Sequence, residues 1–185
     1  RRIEFKKMTV IVTGAAGFIG SNFILNWLAE KNEKIIGLDK LTYAGNLENL
    51  KTIENNTSFQ FIRGDIGDTK LIASLLKEHQ PRAVVNFAAE SHVDRSIHGP
   101  NDFIQTNIIG TFNLLEQVRS YYQTLNEASK QQLRFLHIST DEVFGTVTQS
   151  DHAFKETHPY KPNSPYSASK AASDHLVRAW HHTYG

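Results

Sequence analysis

The sequence predicts an α/β fold built on a doubly wound parallel sheet. Three observations point to it. Short apolar strand-like runs alternate with helix-like segments along the chain. A glycine triplet separates the first strand from the first helix. The second and third strands run out at acidic residues, Asp39 and Asp65.

Residues 9–12 read as the first strand, and residues 18–31 as a helix with Phe23, Ile24, Trp27 and Leu28 at helical spacing. Residues 34–38 form a second strand ending at Asp39, and residues 58–62 a third ending at Asp65. Residues 69–79 are helical and stopped by Pro81; residues 83–87 form the fourth strand. Residues 101–125 read as one long helix entered after Gly99-Pro100. Residues 134–138 contain the apolar run Phe135-Leu136-His137-Ile138, which reads as a buried fifth strand delivering Ser139 to Glu142 at its C-terminal edge. The last helix spans about residues 167–184, with Gly185 as a natural C-cap. Residues 148–165 are polar, contain Pro159, Pro162 and Pro165, and are expected to form an exposed loop beside the strand ends. There is no internal repeat and no low-complexity tract, so residues 1–185 read as one domain.

The composition narrows the function classes. With 185 residues, 39% hydrophobic and 21% charged, the chain is long enough for a well-cored globular domain and unlike a disordered one. A net charge of +1 gives no support to a nucleic-acid or membrane-surface partner. The absence of cysteine excludes disulfides, thiolate catalysis and Cys-ligated zinc, and agrees with a cytoplasmic location. No apolar run is long enough to span a bilayer. Arg1 to Lys7 superficially resembles the basic end of a signal peptide. The apolar segment behind it, Val10-Ile11-Val12, is too short and runs into glycines, so a signal peptide is not expected.

The chemistry-bearing motifs cluster at strand ends. Gly14-Ala15-Ala16-Gly17-Phe18-Ile19-Gly20 is GxxGxxG, a variant of the dinucleotide fingerprint. Its glycines allow a tight turn, close backbone approach to a pyrophosphate, and close packing of helix on sheet; the helix N-terminus then offers free N–H groups to phosphate. A glycine triplet alone can be only a turn, but here it follows a strand, precedes a helix and is paired with Asp39, which makes the sheet Rossmann-type. Asp39 is expected to accept hydrogen bonds from the adenosine ribose and to repel a 2′-phosphate, favouring NAD over NADP, with Lys40 beside it as a countervailing charge. Asp39 could equally be a strand-end turn residue. Asp65-Ile66 has the same bland reading; if functional, it sits beside the adenine.

Tyr166-Ser167-Ala168-Ser169-Lys170 is YxxxK, which puts phenol and ammonium on one helix face. A neighbouring ammonium, with the positive nicotinamide, is expected to lower the phenol from its ordinary value near 10 toward neutrality. Ser139-Thr140-Asp141-Glu142 presents two adjacent carboxylates after a hydroxyl pair. Carboxylates forced close together do not both ionise easily, so one can hold a proton while the other acts as a base. Ala88-Ala89-Glu90-Ser91-His92-Val93-Asp94-Arg95-Ser96 follows the fourth strand; its small residues allow close approach to a cofactor, and its charges read by default as a solvated ion-pair loop. The nine histidines, His175, His181 and His182 among them, lack companion carboxylates at ligand spacing, and no metal is expected.

In combination and order these motifs resemble the extended short-chain dehydrogenase/reductase family. GAAGFIG and YSASK are shared across that superfamily. DKLTYAGN at residues 39–46, FAAESHVDRS at residues 87–96 and STDEVFG narrow the resemblance to its dTDP-glucose 4,6-dehydratases, over essentially the whole chain after Met8. Nucleotide-sugar 4-epimerases typically carry small residues where Asp141 and Glu142 stand, and GDP-mannose 4,6-dehydratases keep the Glu but have a small residue in place of Asp141. One departure is Phe144, where the dTDP-glucose group usually has Tyr; no implied step needs that hydroxyl, so the change reads as one of packing.

The resemblance implies a lyase that binds NAD and a nucleotide sugar and forms a homodimer. It implies cofactor contacts from Gly14, Gly17, Phe18, Ile19, Gly20, Asp39, Lys40, Leu41, Thr42, Asp65, Ile66, Phe87, Ala88, Ala89, Glu90, Ser91, Thr106, Tyr166 and Lys170, and substrate contacts from Ser91, His92, Thr140, Asp141 and Glu142. In the implied mechanism Tyr166 takes the C4 hydroxyl proton with Lys170 in support, Thr140 hydrogen-bonds the C4 oxygen, Glu142 removes the C5 proton, and a protonated Asp141 donates to the departing C6 hydroxyl. It also implies a second, smaller substrate domain beyond Gly185, holding the contacts to the nucleotide base. The alternatives are a nucleotide-sugar 4-epimerase and a non-catalytic NAD-binding protein on the same fold.

Overall fold

The structure is a computed structural model that describes residues 8–148 and 152–185. Its centre is a sheet of five parallel strands: β1 (Thr9–Thr13), β2 (Lys34–Asp39), β3 (Phe59–Arg63), β4 (Ala83–Asn86) and β5 (Arg134–His137), in the spatial order β3-β2-β1-β4-β5. Val10 lies opposite Ile35 on one side and Ala83 on the other. The chain builds outward from β1 through β2 to β3, then crosses back to start β4 on the other side. The two halves therefore diverge between β1 and β4, which opens a crevice at their C-terminal ends.

Alternation along each strand divides the core into two layers. Ile11, Ile36 and Val84 point to one face, under α2 (Thr69–His79) and α5 (Thr111–Thr124), and pack with Ile72, Leu76 and Leu114. Val10, Val12, Ile35 and Val85 point to the other, under α1 (Phe18–Glu30), and pack with Ile24 and Leu50. Both faces are covered, so β1 is buried at every position, as a central parallel strand requires. On α1, Ile24 is buried, and Phe23, Trp27 and Leu28 pack at the margin of the same layer.

The ends of α2 follow local rules. Asp68 caps it by accepting from the N–H groups of Lys70 and Leu71, and Gln80 closes it in the left-handed conformation, φ 46°, just before Pro81.

Three expectations are corrected. The long helix of residues 101–125 is not uniform. It comprises α4 (Pro100–Phe103), a π-helical segment (Ile104–Gly110) and α5, preceded by α3 (Val93–His98) and followed by α6 (Glu127–Gln132). The widened turn turns Asn107 inward, and Gly110 lets the helix close on Ile66, whose Cδ1 would lie 3.0 Å from an added Cβ. The segment after β4 is irregular over residues 88–92 and then enters the helix α3, where Arg95, rather than pairing with a carboxylate among the described residues, lies 3.8 Å over the ring of Tyr43. β5 is not buried. Among the described residues it is an edge strand, and Leu136 is 51% exposed.

Helix α7 (Pro165–Tyr184) begins two residues before its expected start. Ser164 caps it and Ser167 reciprocates in a capping box, with Pro165 in the first turn. Residues 152–165 form the expected irregular, largely exposed segment; residues 149–151 of that loop lie outside the described residues. No helix among the described residues is long and apolar enough to cross a membrane.

Candidate active site

β1 delivers Gly14 to the crevice with φ +66°, and an added Cβ would lie 2.8 Å from the backbone of Phe87 and of Ala88. Only glycine tolerates both the left-handed turn and that approach. At Gly20 a Cβ would collide with the Gly14 carbonyl, so α1 starts directly against the turn. Its N-cap, Gly17, supplies no side-chain hydrogen bond, which leaves the first-turn N–H groups available to an anion. Thr13 ties this turn to β4: its hydroxyl donates to Asn86 Oδ1 at 2.5 Å and accepts from Ala88 N at 3.1 Å.

Asp39 ends β2 beside the turn. Its Oδ2 accepts from Ala16 N at 2.9 Å and its Oδ1 from Leu41 N at 2.7 Å, so the carboxylate organises the loop as well as facing the crevice. Lys40 pairs with Asp65 at 2.7 Å across the ends of β2 and β3.

The crevice has a volume of about 360 Å³ and runs from the glycine turn to Tyr166 and Lys170. Every cofactor residue expected from the sequence lines it except Leu41, whose side chain packs into the layer beneath α1. Leu38, Ala44, Gly45, Gly64, Ile138 and Ser139 also line it and were not foreseen. A glycine cradle, an open helix N-terminus and a ribose-facing carboxylate fit a dinucleotide. A larger groove of about 870 Å³ lies between β5, α5 and α7 and contains none of the motif residues. Among the described residues no group of three or more His, Asp or Glu gathers as a metal would require.

The expected substrate residues divide. Ser91 lines the crevice, whereas Thr140 and Asp141 line an adjoining hollow of about 370 Å³. His92 stands exposed at the head of α3. Asp141 and Glu142 belong to a 3₁₀ turn (Asp141–Phe144) rather than to the strand edge, and Thr140 Oγ1 caps that turn by accepting from Glu142 N at 3.3 Å. Asp141 is exposed and Glu142 half-buried, so in this chain water reaches the pair. Phe144 packs edge-on against Tyr160 at 5.3 Å and beside Phe154 at 5.6 Å, so its ring has a packing role.

Tyr166 and Lys170 share one buried face of α7, and the Tyr166 ring meets Phe103 edge-on at 6.3 Å. Burial raises the Tyr166 phenol above its ordinary value. A hydrogen bond with Thr140 opposes that rise, and the charges of Glu142 and Asp141 add to it. The expectation that the neighbouring ammonium lowers the phenol is therefore corrected for the protein by itself. Lys170 Nζ donates instead to the Ile138 carbonyl at 2.5 Å, and burial brings the Lys170 ammonium down to about 8.

Two residues escaped sequence reasoning. Asn107 accepts from Glu90 N at 2.8 Å and donates to Glu90 O and to Ser169 Oγ, both at 2.9 Å, joining the loop after β4 to α7. The signal was a lone amide among Thr106, Ile108 and Ile109. His137 lies between Asn86 and Ser173, each at 3.1 Å, and burial pushes its imidazole down to about 3. Its signal was a polar residue inside the apolar run of β5.

Comparison with known proteins agrees with this geometry. The family model described as GDP-mannose 4,6 dehydratase matches residues 11–185. A dTDP-glucose 4,6-dehydratase of Xanthomonas campestris pv. campestris is 60% identical over 177 residues, covering 96% of this chain and 50% of that protein. Among solved structures, a dTDP-glucose 4,6-dehydratase from Streptomyces venezuelae with NAD and TYD bound superposes with a TM-score of 0.86 at 44% identity, covering 96% of this chain and 53% of that one. A UDP-glucose 4-epimerase of Thermus thermophilus in complex with NAD gives 0.81 at 33% identity, covering 96% and 52%. The chain thus spans about half the length of the relatives it matches.

Proposed function

This chain belongs to the GDP-mannose 4,6 dehydratase family of extended short-chain dehydrogenases/reductases, and on that basis we propose that the protein carrying it converts dTDP-glucose to dTDP-4-keto-6-deoxyglucose with NAD as its bound cofactor. The observation that carries this reading is the turn beside the catalytic helix. In it Asp141 and Glu142 directly follow Thr140, whose side chain hydrogen-bonds the Tyr166 phenol. An epimerase has no use for that acid–base pair, and Asp141 favours the dTDP-glucose branch over the GDP-mannose one. Residues 1–185 act as the NAD-binding domain, and a further domain supplies most of the contacts to the nucleotide.

When bound, NAD supplies a hydride acceptor at C4 and a hydride donor at C6, so the reaction is redox-neutral. Gly14, Gly17, Phe18, Ile19 and Gly20 hold the pyrophosphate, and Asp39 holds the adenosine ribose and disfavours NADP. Tyr166 takes the proton of the C4 hydroxyl, Thr140 hydrogen-bonds the C4 oxygen, and Lys170 supports both the phenolate and the nicotinamide ribose. The C4 ketone acidifies C5, whose proton passes to Glu142. Asp141 delivers a proton to the C6 hydroxyl, water leaves across C5–C6, and Glu142 returns a proton to C5 as C6 is reduced. Ser91 and His92 face the sugar. The protein works as a cytoplasmic homodimer; the cysteine-free composition and the apolar surfaces of α5 and α7 support this.

Incubating the whole protein with dTDP-glucose and following the product by mass spectrometry tests the reading. Loss of one water is expected. An unchanged mass with inversion at C4 would identify an epimerase, and tight NAD binding with no turnover would leave only a binding protein.

A further inference from the structure

The geometry points to Asp174 as a positioning residue for the proposed reaction, its carboxylate clamping the turn that carries Thr140, Asp141 and Glu142, together with the Tyr160 segment, onto the helix that carries Tyr166 and Lys170. The inference rests on the reaction proposed above, for which no role of Asp174 has yet been needed.

Asp174 stands one helical turn after Lys170 on α7, and its side chain is only 13% exposed. Its Oδ2 accepts from Ser139 Oγ at 2.6 Å and from Tyr160 Oη at 3.0 Å. A carboxylate can only accept, so both hydroxyls are forced to donate and both are oriented by it. Ser139 is the residue before Thr140, so this bond holds the start of the acid-bearing turn. On its other side Asp174 Oδ1 lies 3.6 Å from His137 Nε2, and His137 is itself held by Asn86 and Ser173. Asp174 belongs to α7, so the clamp is anchored to that helix and not to a mobile surface group.

Packing holds the far end of the turn, where Val143 is buried and Phe144 meets Tyr160 and Phe154, but not its near end, residues 139–141. The hollow of about 370 Å³ lies against Thr140, Asp141, Val143 and Phe144, with Tyr160 and Asp174 on its wall. Polar bonds span it instead. Besides those to Asp174, Lys161 N donates to Val143 O at 2.9 Å and Asn163 Nδ2 to Thr146 Oγ1 at 2.9 Å. Asp174 is the point where turn, Tyr160 segment and catalytic helix meet. Misplacing a reacting group by about 1 Å can cost on the order of a hundredfold in rate, so loosening this joint has a cost in catalysis without any loss of cofactor contacts.

The test uses the whole protein with NAD and three variants, Asp174→Ala, Asp174→Asn and Tyr160→Phe. Amide hydrogen exchange reads the clamp independently of activity. In Asp174→Ala, exchange across residues 139–147 should rise at least about tenfold while β1 to β4 stay protected. With dTDP-glucose, kcat should fall by roughly ten- to a hundredfold while NAD affinity stays within about twofold. Asp174→Asn should recover most of both, because the amide oxygen still accepts from Ser139 and Tyr160. Tyr160→Phe, which removes one hydroxyl from the periphery and keeps the ring against Phe144, should show a smaller effect of the same kind even if Asp174→Ala fails to fold. Unchanged exchange across residues 139–147 in Asp174→Ala and Tyr160→Phe would overturn the clamp, as would an Asn variant as impaired as the Ala one. If wild type leaves dTDP-glucose unconsumed, the reaction assignment fails, and the exchange measurement still decides whether Asp174 holds the turn.

Discussion

At the crevice, Tyr166 and Lys170 are both tuned chiefly by burial. Burial lifts the Tyr166 phenol, and one N–H of the Lys170 ammonium goes to the Ile138 carbonyl, so in the proposed reaction proton removal at C4 would depend on what the bound cofactor adds to this field. In the proposed reaction the two carboxylates divide the elimination. Glu142→Gln should still permit oxidation at C4, with reduced-nicotinamide absorbance appearing and persisting while C5 proton exchange falls by about a hundred- to ten-thousandfold. Tyr166→Phe should abolish both signals; a Glu142→Gln protein that dehydrates at the wild-type rate would refute the assignment. His137 makes a separate prediction about stability. Its imidazole titrates at about 3 when folded and near 6.5 when exposed, so between those values the unfolded chain binds a proton that the folded one does not. Stability should therefore be lost as pH falls from 6.5 toward 3, with an upper bound on the order of 5 kcal/mol from this group. Urea unfolding near pH 4.5 and near pH 7 should show a shallower pH dependence in His137→Asn than in wild type.

Among the elements, α7 matters most, because its first turn holds Tyr166 in place. Ser164 and Ser167 cap each other's backbone there, and Pro165 pre-sets the entry. Ser164→Ala should cost about 1 kcal/mol in chemical denaturation, with Ser164→Thr close to wild type. The π segment Ile104–Gly110 does comparable work at the other end of the crevice. It carries Asn107 to the Glu90 backbone and to Ser169, so the loop after β4 and the catalytic helix are set by one amide. A regular α-helix through the same residues would turn that amide by a different angle and leave the Glu90 backbone and the Ser169 hydroxyl without it.

For the molecule as a whole, Phe103 and Leu115 are buried within the chain, so neither is free to face a second subunit. Ile104, Ile109 and Phe112 remain more than a third exposed, and Phe112 stacks edge-on with Trp180 of α7 at 5.8 Å. A two-fold contact that joins α5 and α7 to their copies in a four-helix arrangement would bury this surface. Sedimentation of the whole protein should give a dimer, and Phe112→Glu should shift it toward monomer while NAD affinity is retained. A wild-type protein that sediments strictly as a monomer would exclude the assembly.

The features legible in the sequence were local in origin. The alternation of strand and helix, the glycine turn before α1, the stop of α2 before Pro81, and the one-turn spacing of Tyr166 and Lys170 all follow from neighbours a few residues apart. Periodicity and turn chemistry report those directly. The remainder emerged only in three dimensions, because it depends on pairs far apart in the chain. Asn107 meets Ser169 across 62 positions, Ser139 meets Asp174 across 35, and Lys170 finds the Ile138 carbonyl across 32. β5 resembled a buried strand until the strand order placed it at the edge, since an apolar run records hydrophobicity and not what covers it. The direction in which the Tyr166 phenol moves was likewise outside the reach of spacing, because burial and the placement of Glu142 and Asp141 outweigh the adjacency of an ammonium whose proton donation goes elsewhere.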